Sequence, residues 1–300
     1  MPYAQLIVNP IAGAGKTTKT WPHIEALLHS LGLDFEYALT ESAGHAIELA
    51  KTAVAKGCKL VVSVGGDGTV NEVVNGLYQA DGLREVMLGI VSTGTGADYI
   101  RTLGIPRAYD DACKLFLQPK TRLVDIGVIE FSDNQNKRLF VNFAGLGFDA
   151  EIVKATTKTF KATGAMASYL LGLLTTLIFY QNKEVSLTVN GEVEEWKIVT
   201  ILMGQGKYGG GGMMTTPDAD PADGLFDVLI VDNMTKPDLL KSLPRIYKGT
   251  HLTHPKVFLK RVKEIELRPK TRMCIQADGD IIGDAPARFS VLPSALRVVV

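Results

Sequence analysis

Five residues, Gly65-Gly66-Asp67-Gly68-Thr69, separate an apolar run at 59–64 from a helix-like run at 70–77. Glycines directly after a strand let the backbone bend sharply and approach a ligand closely. A helix that begins at such a turn directs unpaired backbone N–H groups towards it, and these groups attract phosphate. The segment therefore predicts a strand–turn–helix unit whose turn binds phosphate.

Two residues refine this prediction. Thr69 and Glu72 have the spacing of a capping box, so we expect the helix to begin at Thr69. An acidic side chain in an anion-binding turn is explained if Asp67 holds Mg²⁺ or its water shell, because Mg²⁺ prefers one or two carboxylates together with phosphate oxygens. The alternative is an ordinary tight turn, which requires neither three glycines nor the aspartate.

Strand-like and helix-like runs alternate through roughly the first 120 residues, which predicts a parallel sheet with helices on both faces. We expect strands at 5–8, 34–39, 59–64 and 87–91, and helices at 18–31, 42–56, 69–77, 98–103 and 109–117. Every glycine-rich loop in this half follows a strand, which places all of these loops at one edge of the sheet.

Short strands and turns dominate the second half, which predicts an antiparallel β-sandwich or barrel. The expected strands lie at 123–131, 138–144, 185–189, 193–202, 225–231, 262–267, 272–276, 287–291 and 296–300, with a helical stretch at about 150–180. Asn190-Gly191 is a strong hairpin signal. We therefore predict two domains, an α/β domain at 1–121 and a β-sandwich domain at 122–300.

Composition excludes several classes of protein. Lys and Arg together number 32, as do Asp and Glu, so a nucleic-acid binder with a basic surface is not expected. Three dispersed cysteines give no disulfide framework and indicate a reducing compartment. The apolar run at 165–180 is too short to span a bilayer. We interpret it as a buried helix, or alternatively as one that lines a lipid pocket or touches a membrane surface.

Two further loops of the first half resemble phosphate-binding turns. The segment 6–17 is not a P-loop, because Pro10 stands where that motif needs its first glycine. Asn9 could instead donate a hydrogen bond to a phosphate or to a neighbouring loop. The segment 92–98 supplies hydroxyls and glycines after a strand, and Asp98 is a candidate second carboxylate beside Asp67.

Four motifs of the second half carry candidate chemistry. Gly145 to Ala150 fits a dinucleotide motif, but no acidic residue lies in 162–182, so we read it as a tight turn. Gly209 to Gly212 allows close backbone approach or forms a flexible loop. The acidic segment 216–225 suits a hard cation, or is a solvated turn. Asp278-Gly279-Asp280 is a hairpin turn or supplies a general base.

Together these motifs resemble the diacylglycerol kinase catalytic-domain family, which includes bacterial lipid kinases and sphingosine kinases. The resemblance covers nearly the whole chain, in order, and its most specific part is Gly65 to Thr69. It implies a cleft between the two domains that binds ATP and Mg²⁺ and phosphorylates a lipid hydroxyl. The implied site residues form three groups. The nucleotide group comprises Asn9, Pro10, Gly13, Thr40, Gly65, Gly66, Asp67, Gly68, Thr69, Asn71, Glu72, Gly94 and Thr95. The metal group comprises Asp67, Asp98, Asp220, Asp223 and Leu225. The base comes from Asp278 or Asp280.

The chain departs from the family pattern at two places. Ser92-Thr93 and Ala97-Asp98 replace Leu-Pro and Asn-Asp around the second Gly-Thr, and Asp280 replaces a glutamate and is one methylene shorter. Two other functions stay open: an NAD kinase-like enzyme, and a non-catalytic nucleotide- or lipid-binding protein.

The resemblance also implies a location. We expect a cytoplasmic protein with no transmembrane segment that meets its lipid at the membrane surface. The basic residues at 256–263 could aid this contact, or they form a solvated basic face. A homodimer also stays open.

Overall fold

The computed structural model describes residues 3–133, 136–159, 172–173 and 175–300. Contacts divide the chain into unit 1, Met1–Ile126 with Pro293–Val300, and unit 2, Gly127–Leu292. The predicted ranges 1–121 and 122–300 differ from this division at the boundary and at the C-terminus. The C-terminal segment belongs to unit 1 because Val298 pairs with Leu88 there.

Unit 1 is an alternating α/β fold. Its elements are β1 (Ala4–Val8), α1 (Ala12–Ser30), β2 (Phe35–Leu39), α2 (His45–Ala55), β3 (Leu60–Gly65), α3 (Asp67–Gln79), β4 (Met87–Ser92), α4 (Asp98–Leu103) and α5 (Tyr109–Lys114). All strand pairs among β1 to β4 are parallel, in the order β2-β1-β3-β4. This confirms the predicted parallel sheet.

Helices cover both faces of this sheet. Leu6 and Val62 pack with Trp21 of α1 in one hydrophobic cluster. The alternate strand residues Ile7 and Val61 are also fully buried, and α2 contacts β1 while α3 contacts β3. Because successive side chains of a strand point to opposite faces, burial on both sides follows from the nearly continuous apolar strands.

Unit 2 consists mainly of antiparallel strands. Its elements are β6 (Lys137–Phe140), β7 (Phe143–Gly147), α6 (Phe148–Thr159), β8 (Lys183–Val189), β9 (Glu192–Gly204), β10 (Phe226–Asp232), α7 (Lys236–Tyr247), β11 (Val257–Val262), β12 (Glu264–Pro269), β13 (Cys274–Ala277) and β14 (Asp280–Asp284). Two strands, β5 (Thr121–Phe131) and β15 (Ala287–Val299), contribute residues to both units. The antiparallel sandwich is confirmed.

The core of unit 2 lies between its strands. Phe140 and Phe226 stack with ring centroids 5.6 Å apart. They belong to a hydrophobic cluster whose side chains come mainly from β5 to β13 and β15. A second cluster joins Phe148 and Ile152 of α6 to Leu229 of β10. The predicted Asn190-Gly191 hairpin is present, with both residues at positive φ between the paired Val189 and Glu192.

Three expectations for this half were wrong in detail. The predicted strand at 138–144 is two strands, β6 and β7, and the two expected strands at 287–291 and 296–300 are one, β15. The sequence Pro293-Ser294 is typical of a turn, but the strand continues through it, with Ser294 at φ +49°. The helix α7 was not predicted, although Leu239 and Leu243 lie four residues apart on one face and pack against the second cluster.

Candidate active site

The loops after β3 and β4 are in direct contact at the carboxyl edge of the unit 1 sheet. The carbonyl oxygen of Gly65 accepts the backbone N–H groups of Thr93 at 2.8 Å and Gly94 at 3.2 Å. A Cβ on Gly94 would lie 2.6 Å from the Cα of Gly66. Only glycine at position 94 allows the two backbones to approach this closely.

The loop after β1 joins the same edge. It includes Gly13 to Gly15, which fall within the bounds of α1 but have left-handed rather than helical φ and ψ. A Cβ on Gly13, whose φ is +61°, would lie 2.4 Å from the carbonyl oxygen of Thr93, and the hydroxyls of Thr17 and Thr93 are 2.5 Å apart. Asn9 donates from Nδ2 to Thr69 Oγ1 at 3.0 Å. We expected Asn9 to donate a hydrogen bond to a phosphate or to a neighbouring loop, and this bond goes to the neighbouring loop.

The carboxylates of Asp67 and Asp98 converge next to Gly96. A Cβ at Gly96 would lie 3.2 Å from Asp67 Oδ2 and 3.5 Å from Asp98 Oδ2. Burial, and then the negative charge of Asp98, raise the pKa of the Asp67 carboxyl. The Asp67 oxygens accept the backbone N–H groups of Asp98 and Tyr99, and Arg101 lies 3.4 Å from Asp98.

This pair has the chemistry of a hard-cation site. Two carboxylates with a glycine between them leave room for an ion, and a divalent cation would relieve the repulsion that burial intensifies. Such a set is incomplete without further oxygen ligands, which phosphates or water supply in magnesium sites. Asp67 and Asp98 therefore have the chemistry to hold Mg²⁺, and their role as its ligands stays a prediction.

The predicted capping box at the start of α3 is wrong. The helix begins at Asp67, two residues earlier than expected, and Thr69 receives the Asn9 amide instead. The Glu72 carboxylate accepts the backbone N–H groups of Gly44 at 2.9 Å and Ala46 at 3.2 Å. Glu72 therefore caps the N-terminus of α2, because a carboxylate is stabilised by unpaired N–H groups there.

The remaining predicted nucleotide residues lie near the same edge. Thr40 follows β2 and donates its backbone N–H to Val8 at the end of β1. The carbonyl oxygen of Pro10 accepts the Thr18 hydroxyl, Gly68 lies in the first turn of α3, and Thr95 is exposed. Asn71 is buried, and its side chain accepts from Asn75.

In unit 2, the Asp278 carboxylate is a buried acceptor. It accepts the backbone N–H groups of Val141 at 2.8 Å and of Asn142 and Phe143 at 3.0 Å each. Asp278 and Gly279 have φ values of +47° and +91° and form the two-residue turn between the paired Ala277 and Asp280. The hairpin interpretation of this motif is correct.

Asp280 is in a different environment. Its residue is exposed, and it lines a cavity of about 690 Å³ within unit 2. The other lining residues come from α6, β13 and β14 and the residues before them: Glu151, Lys154, Arg272, Cys274, Ile281, Gly283 and Asp284. The two candidate bases thus differ: Asp278 is buried and accepts three backbone N–H groups, whereas Asp280 is at an exposed position.

The acidic segment before β10 contains the third predicted group. Asp220 accepts from the backbone of Ala222, and Asp223 accepts from the backbone of Leu225 and pairs with Arg261. Asp227, which was not among the predicted site residues, is buried with one oxygen that has no hydrogen-bond partner. Burial raises the pKa of Asp227 to about 6, while Arg261 opposes the rise.

This group fits a cation less completely than the Asp67 pair does. Asp227 has an unpaired buried oxygen, and its pKa is also raised by the negative charges of Asp223 and Asp218, which favours a positive ion nearby. Against this, Arg261 already neutralises Asp223. Among the described residues, no three His, Cys, Asp or Glu side chains are grouped as metal ligands.

Sequence reasoning missed a buried polar network at the start of α6. Asp149 accepts the Thr200 hydroxyl at 2.6 Å and the Gln276 amide at 3.0 Å, and burial raises its pKa to about 6. The sequence signal was the motif at Gly145 to Ala150, which was read as a tight turn and is one of the motifs that carry the family resemblance.

Most of the apolar run at 165–180 lies outside the described residues. Within its described part, Leu173 and Leu177 are buried in the second core cluster of unit 2, and Thr175 and Thr176 line a cavity of about 560 Å³. Searched over the described part of the chain, the helices include none both long and apolar enough to cross a bilayer.

Known proteins resemble both halves of the chain. Residues 3–129 match the family model described as the diacylglycerol kinase catalytic domain, and residues 142–300 match the one described as the YegS C-terminal NAD kinase beta sandwich-like domain. Proteins named diacylglycerol kinase from Staphylococcus haemolyticus and Mycobacterium tuberculosis are each 30% identical to it. The matches cover 98% of this chain and 87% and 93% of those proteins. A solved structure of a diacylglycerol kinase from Bacillus anthracis is 26% identical with a TM-score of 0.79, covering 99% of this chain and 96% of that one.

Proposed function

Because this chain belongs to the diacylglycerol kinase catalytic-domain family, we propose that it is an ATP- and Mg²⁺-dependent lipid kinase. The acceptor is a hydroxyl of a diacylglycerol-like or sphingoid-like lipid. The observation that carries the proposal is the convergence of three loops on the Asp67–Asp98 pair, through the Gly66–Gly94 approach and the Asn9–Thr69 hydrogen bond. Phosphoryl transfer needs positioning and charge neutralisation rather than covalent chemistry from the protein, and this edge of unit 1 supplies both.

In the proposed reaction, the lipid hydroxyl oxygen bonds to the γ-phosphorus and the bond to the β,γ-bridging oxygen breaks. ADP leaves, and the hydroxyl proton passes to the carboxylate of Asp278 or Asp280. When bound, Mg²⁺ neutralises phosphate charge, and Asp67 and Asp98 would hold it. Asp220, Asp223 and the Leu225 carbonyl are proposed to hold a second, structural Mg²⁺. Asn9, Gly13 and the 65–69 and 94–95 loops are proposed to position the nucleotide.

Location follows from the substrate. A kinase of membrane lipids that uses ATP would work in the cytoplasm and touch the bilayer surface, so we include peripheral membrane contact in the proposal. The basic residues at 256–263 are largely engaged elsewhere: Lys256 bonds to the Asn233 carbonyl, Lys260 pairs with Glu194, and Arg261 pairs with Asp223. This favours a different surface for lipid approach.

The test is transfer of labelled phosphate. Purified protein receives γ-labelled ATP and Mg²⁺ with vesicles containing diacylglycerol or a sphingoid base, and with NAD in a parallel reaction. We expect label in a lipid product and loss of transfer when Mg²⁺ is chelated. Label only in NADP would indicate an NAD kinase-like enzyme, and ATP binding without transfer to any acceptor would indicate a non-catalytic protein.

Two variants separate the candidate bases. We expect Asp280→Asn, at an exposed position, to leave the thermal midpoint unchanged. Asp278→Asn should lower it, because three backbone N–H groups lose a carboxylate acceptor. The base is the residue whose variant loses turnover by about 10² to 10⁴-fold at a temperature where it is folded. Full turnover in both variants would remove the base assignment.

A further inference from the structure

The turn that carries Asp278 and Asp280 is held by a chain of two hydrogen bonds from within unit 2. Gln276, which is fully buried, accepts the backbone N–H of Gly279 through Oε1 at 3.1 Å. The same amide donates through Nε2 to Asp149 Oδ2 at 3.0 Å. Gly279 lies between the two candidate bases, so the chain acts on the turn whichever of them accepts the proton.

The direction of these bonds is determined by Asp149. An ionised carboxylate only accepts hydrogen bonds, whereas a primary amide has a donating end and an accepting end. Facing Asp149, the Gln276 amide must present its NH₂ group, and its oxygen is then directed to Gly279. If position 149 presented a donor, Gln276 would have to turn round and direct its NH₂ group at the N–H of Gly279.

Asp149 is itself anchored. It lies in the first turn of α6, directly after Gly147 and Phe148, and its Oδ1 accepts the Thr200 hydroxyl from β9 at 2.6 Å. A Cβ at Gly145 would lie 2.4 Å from Asp149 Oδ2, so glycine at that position leaves room for the carboxylate. The carboxylate therefore has a defined position from which to orient Gln276.

Other titratable groups lie around this chain of hydrogen bonds. Tyr180 donates its hydroxyl to the Val199 carbonyl, and burial, followed by the negative charges of Asp149 and Glu151, raises the pKa of Tyr180. Cys274 of β13 lies 3.7 Å from Glu151 Oε1, and Lys154 lies 3.6 Å from Glu151 Oε2. These groups therefore have partners of their own around Glu151 and β9, apart from the Gln276 amide.

We propose that Asp149 is a positioning residue for the phosphoryl-transfer reaction, which acts through Gln276 to hold the Asp278-Gly279-Asp280 turn in the orientation that proton acceptance requires. This inference rests on the proposed lipid kinase function. It assigns a role to a residue that was not among the predicted site residues. Small displacements of a catalytic group are enough to slow a reaction strongly, by about a hundredfold for about 1 Å.

The polarity of the chain can be reversed by mutation, which provides the test. Asp149→Leu removes the acceptor that orients Gln276, and Gln276→Glu places two carboxylates opposite each other. The double variant Asp149→Asn/Gln276→Glu restores every bond and keeps the net charge. In it, the new amide at position 149 would accept from Thr200 and donate to the new carboxylate at position 276, which would accept from Gly279. Thr200→Val is the comparison variant, because it removes the anchor of Asp149 but keeps an acceptor opposite the Gln276 amide.

Turnover and KM for ATP and lipid are measured below the thermal midpoint of each variant. We expect kcat to fall about tenfold to a hundredfold in each single variant, with KM for ATP unchanged, and to recover to within about threefold of wild type in the double variant. Thr200→Val should lose less kcat than either single variant, because the acceptor for Gln276 stays in place. A purely structural role would lower the thermal midpoint and leave kcat of the folded fraction unchanged.

Several outcomes would overturn the inference. They are a folded Asp149→Leu variant with wild-type kcat, a double variant that folds but stays more than tenfold slow, and a double variant that does not fold. If neither single variant folds, the kcat of the double variant alone tests the inference. Absence of lipid phosphorylation by the wild-type protein would instead remove the proposed function, so the two failures are distinguishable.

Discussion

Asn9 donates a hydrogen bond from Nδ2 to Thr69 Oγ1 over 3.0 Å and so ties the loop after β1 to the first turn of α3, 60 residues further on. Thr69 is 5% exposed. We expect Asn9→Ala to lower the free energy of unfolding by about 1–3 kcal/mol, because a buried hydroxyl loses a partner. Denaturant unfolding of the two proteins measures this difference.

Asn9→Asp is the matched variant. Its carboxylate keeps the acceptor that the N–H of Ile11 uses at 3.2 Å, and it can accept from the Thr69 hydroxyl, so stability should stay within about 1 kcal/mol of wild type. It adds a negative charge beside the proposed phosphate site, so ATP affinity should fall. Equal ATP affinity in Asn9→Asp and wild type would place the phosphates away from Asn9.

Gly66 and Gly94 lie close together, but alanine should be tolerated at one of these positions and not at the other. Ala at 94 puts its Cβ 2.6 Å from the Gly66 Cα, whereas Ala at 66 puts its Cβ 3.6 Å from the Gly94 Cα, an ordinary contact. Gly66 has φ −100° and ψ −177°, which any residue adopts. We expect Gly94→Ala to lower the thermal midpoint clearly and Gly66→Ala to leave it nearly unchanged while it weakens ATP binding. Calorimetry and nucleotide titration of both variants check the pair, and equal midpoints would contradict it.

The shared edge of Asn9, Gly66 and Gly94 could be predicted from sequence, because the carboxyl ends of parallel strands lie at the same edge of a sheet. The partner of Glu72 could not. Its spacing from Thr69 favoured a cap on its own helix, but the carboxylate reaches the N–H groups of Gly44 and Ala46 in another helix. Contacts of this kind depend on how two helices pack, and one sequence contains no local signal of that packing.

The second half was harder to read for a related reason. Asp149 and Gln276 are 127 residues apart, and their contact depends on the register of β13 against β7, which pairs Gln276 with Gly145. The hairpins at 190–191 and 278–279 were predictable because Asn-Gly and Asp-Gly favour positive φ at both turn residues. The turns could therefore be predicted from local sequence, whereas the order of the strands could not.

Ala14 provides a test of backbone strain in the first loop. It lies between Gly13 and Gly15 with φ +56°, and all three residues are left-handed. Such a conformation costs a non-glycine residue about 1–2 kcal/mol, which exceeds the entropy cost of glycine, about 0.5–1 kcal/mol. Ala14→Gly should therefore raise the free energy of unfolding by about 0.5–1 kcal/mol. Ala55→Gly, at an exposed position in α2, should lower it by up to about 1 kcal/mol, and urea titration of both proteins shows whether the signs differ.

Glu72 separates a structural role from nucleotide contact. Replacement by Gln leaves one oxygen acceptor for the two N–H groups of Gly44 and Ala46, so we expect a loss of about 1–2 kcal/mol of stability. If the carboxylate serves only α2, the ATP dissociation constant stays unchanged once the variant is folded. A weaker ATP affinity at full folding would instead support the nucleotide contact that the family resemblance implies. Thermal unfolding and nucleotide titration on one preparation distinguish the two.

Asp149 predicts a specific dependence of stability on pH. Burial raises its pKa from 3.8 to about 6 in the folded protein, so between these values the folded state binds more protons than the unfolded state. The carboxyl therefore favours folding most at low pH, and its contribution falls as pH rises from about 4 to about 6. A rise of this size corresponds to about 3 kcal/mol.

In Asp149→Asn this contribution is absent, so the stability of the variant relative to wild type should improve by up to about 3 kcal/mol between about pH 4 and pH 7. Urea unfolding of both proteins across this range measures the difference, and a constant difference would mean that the carboxyl titrates alike in the folded and unfolded chains.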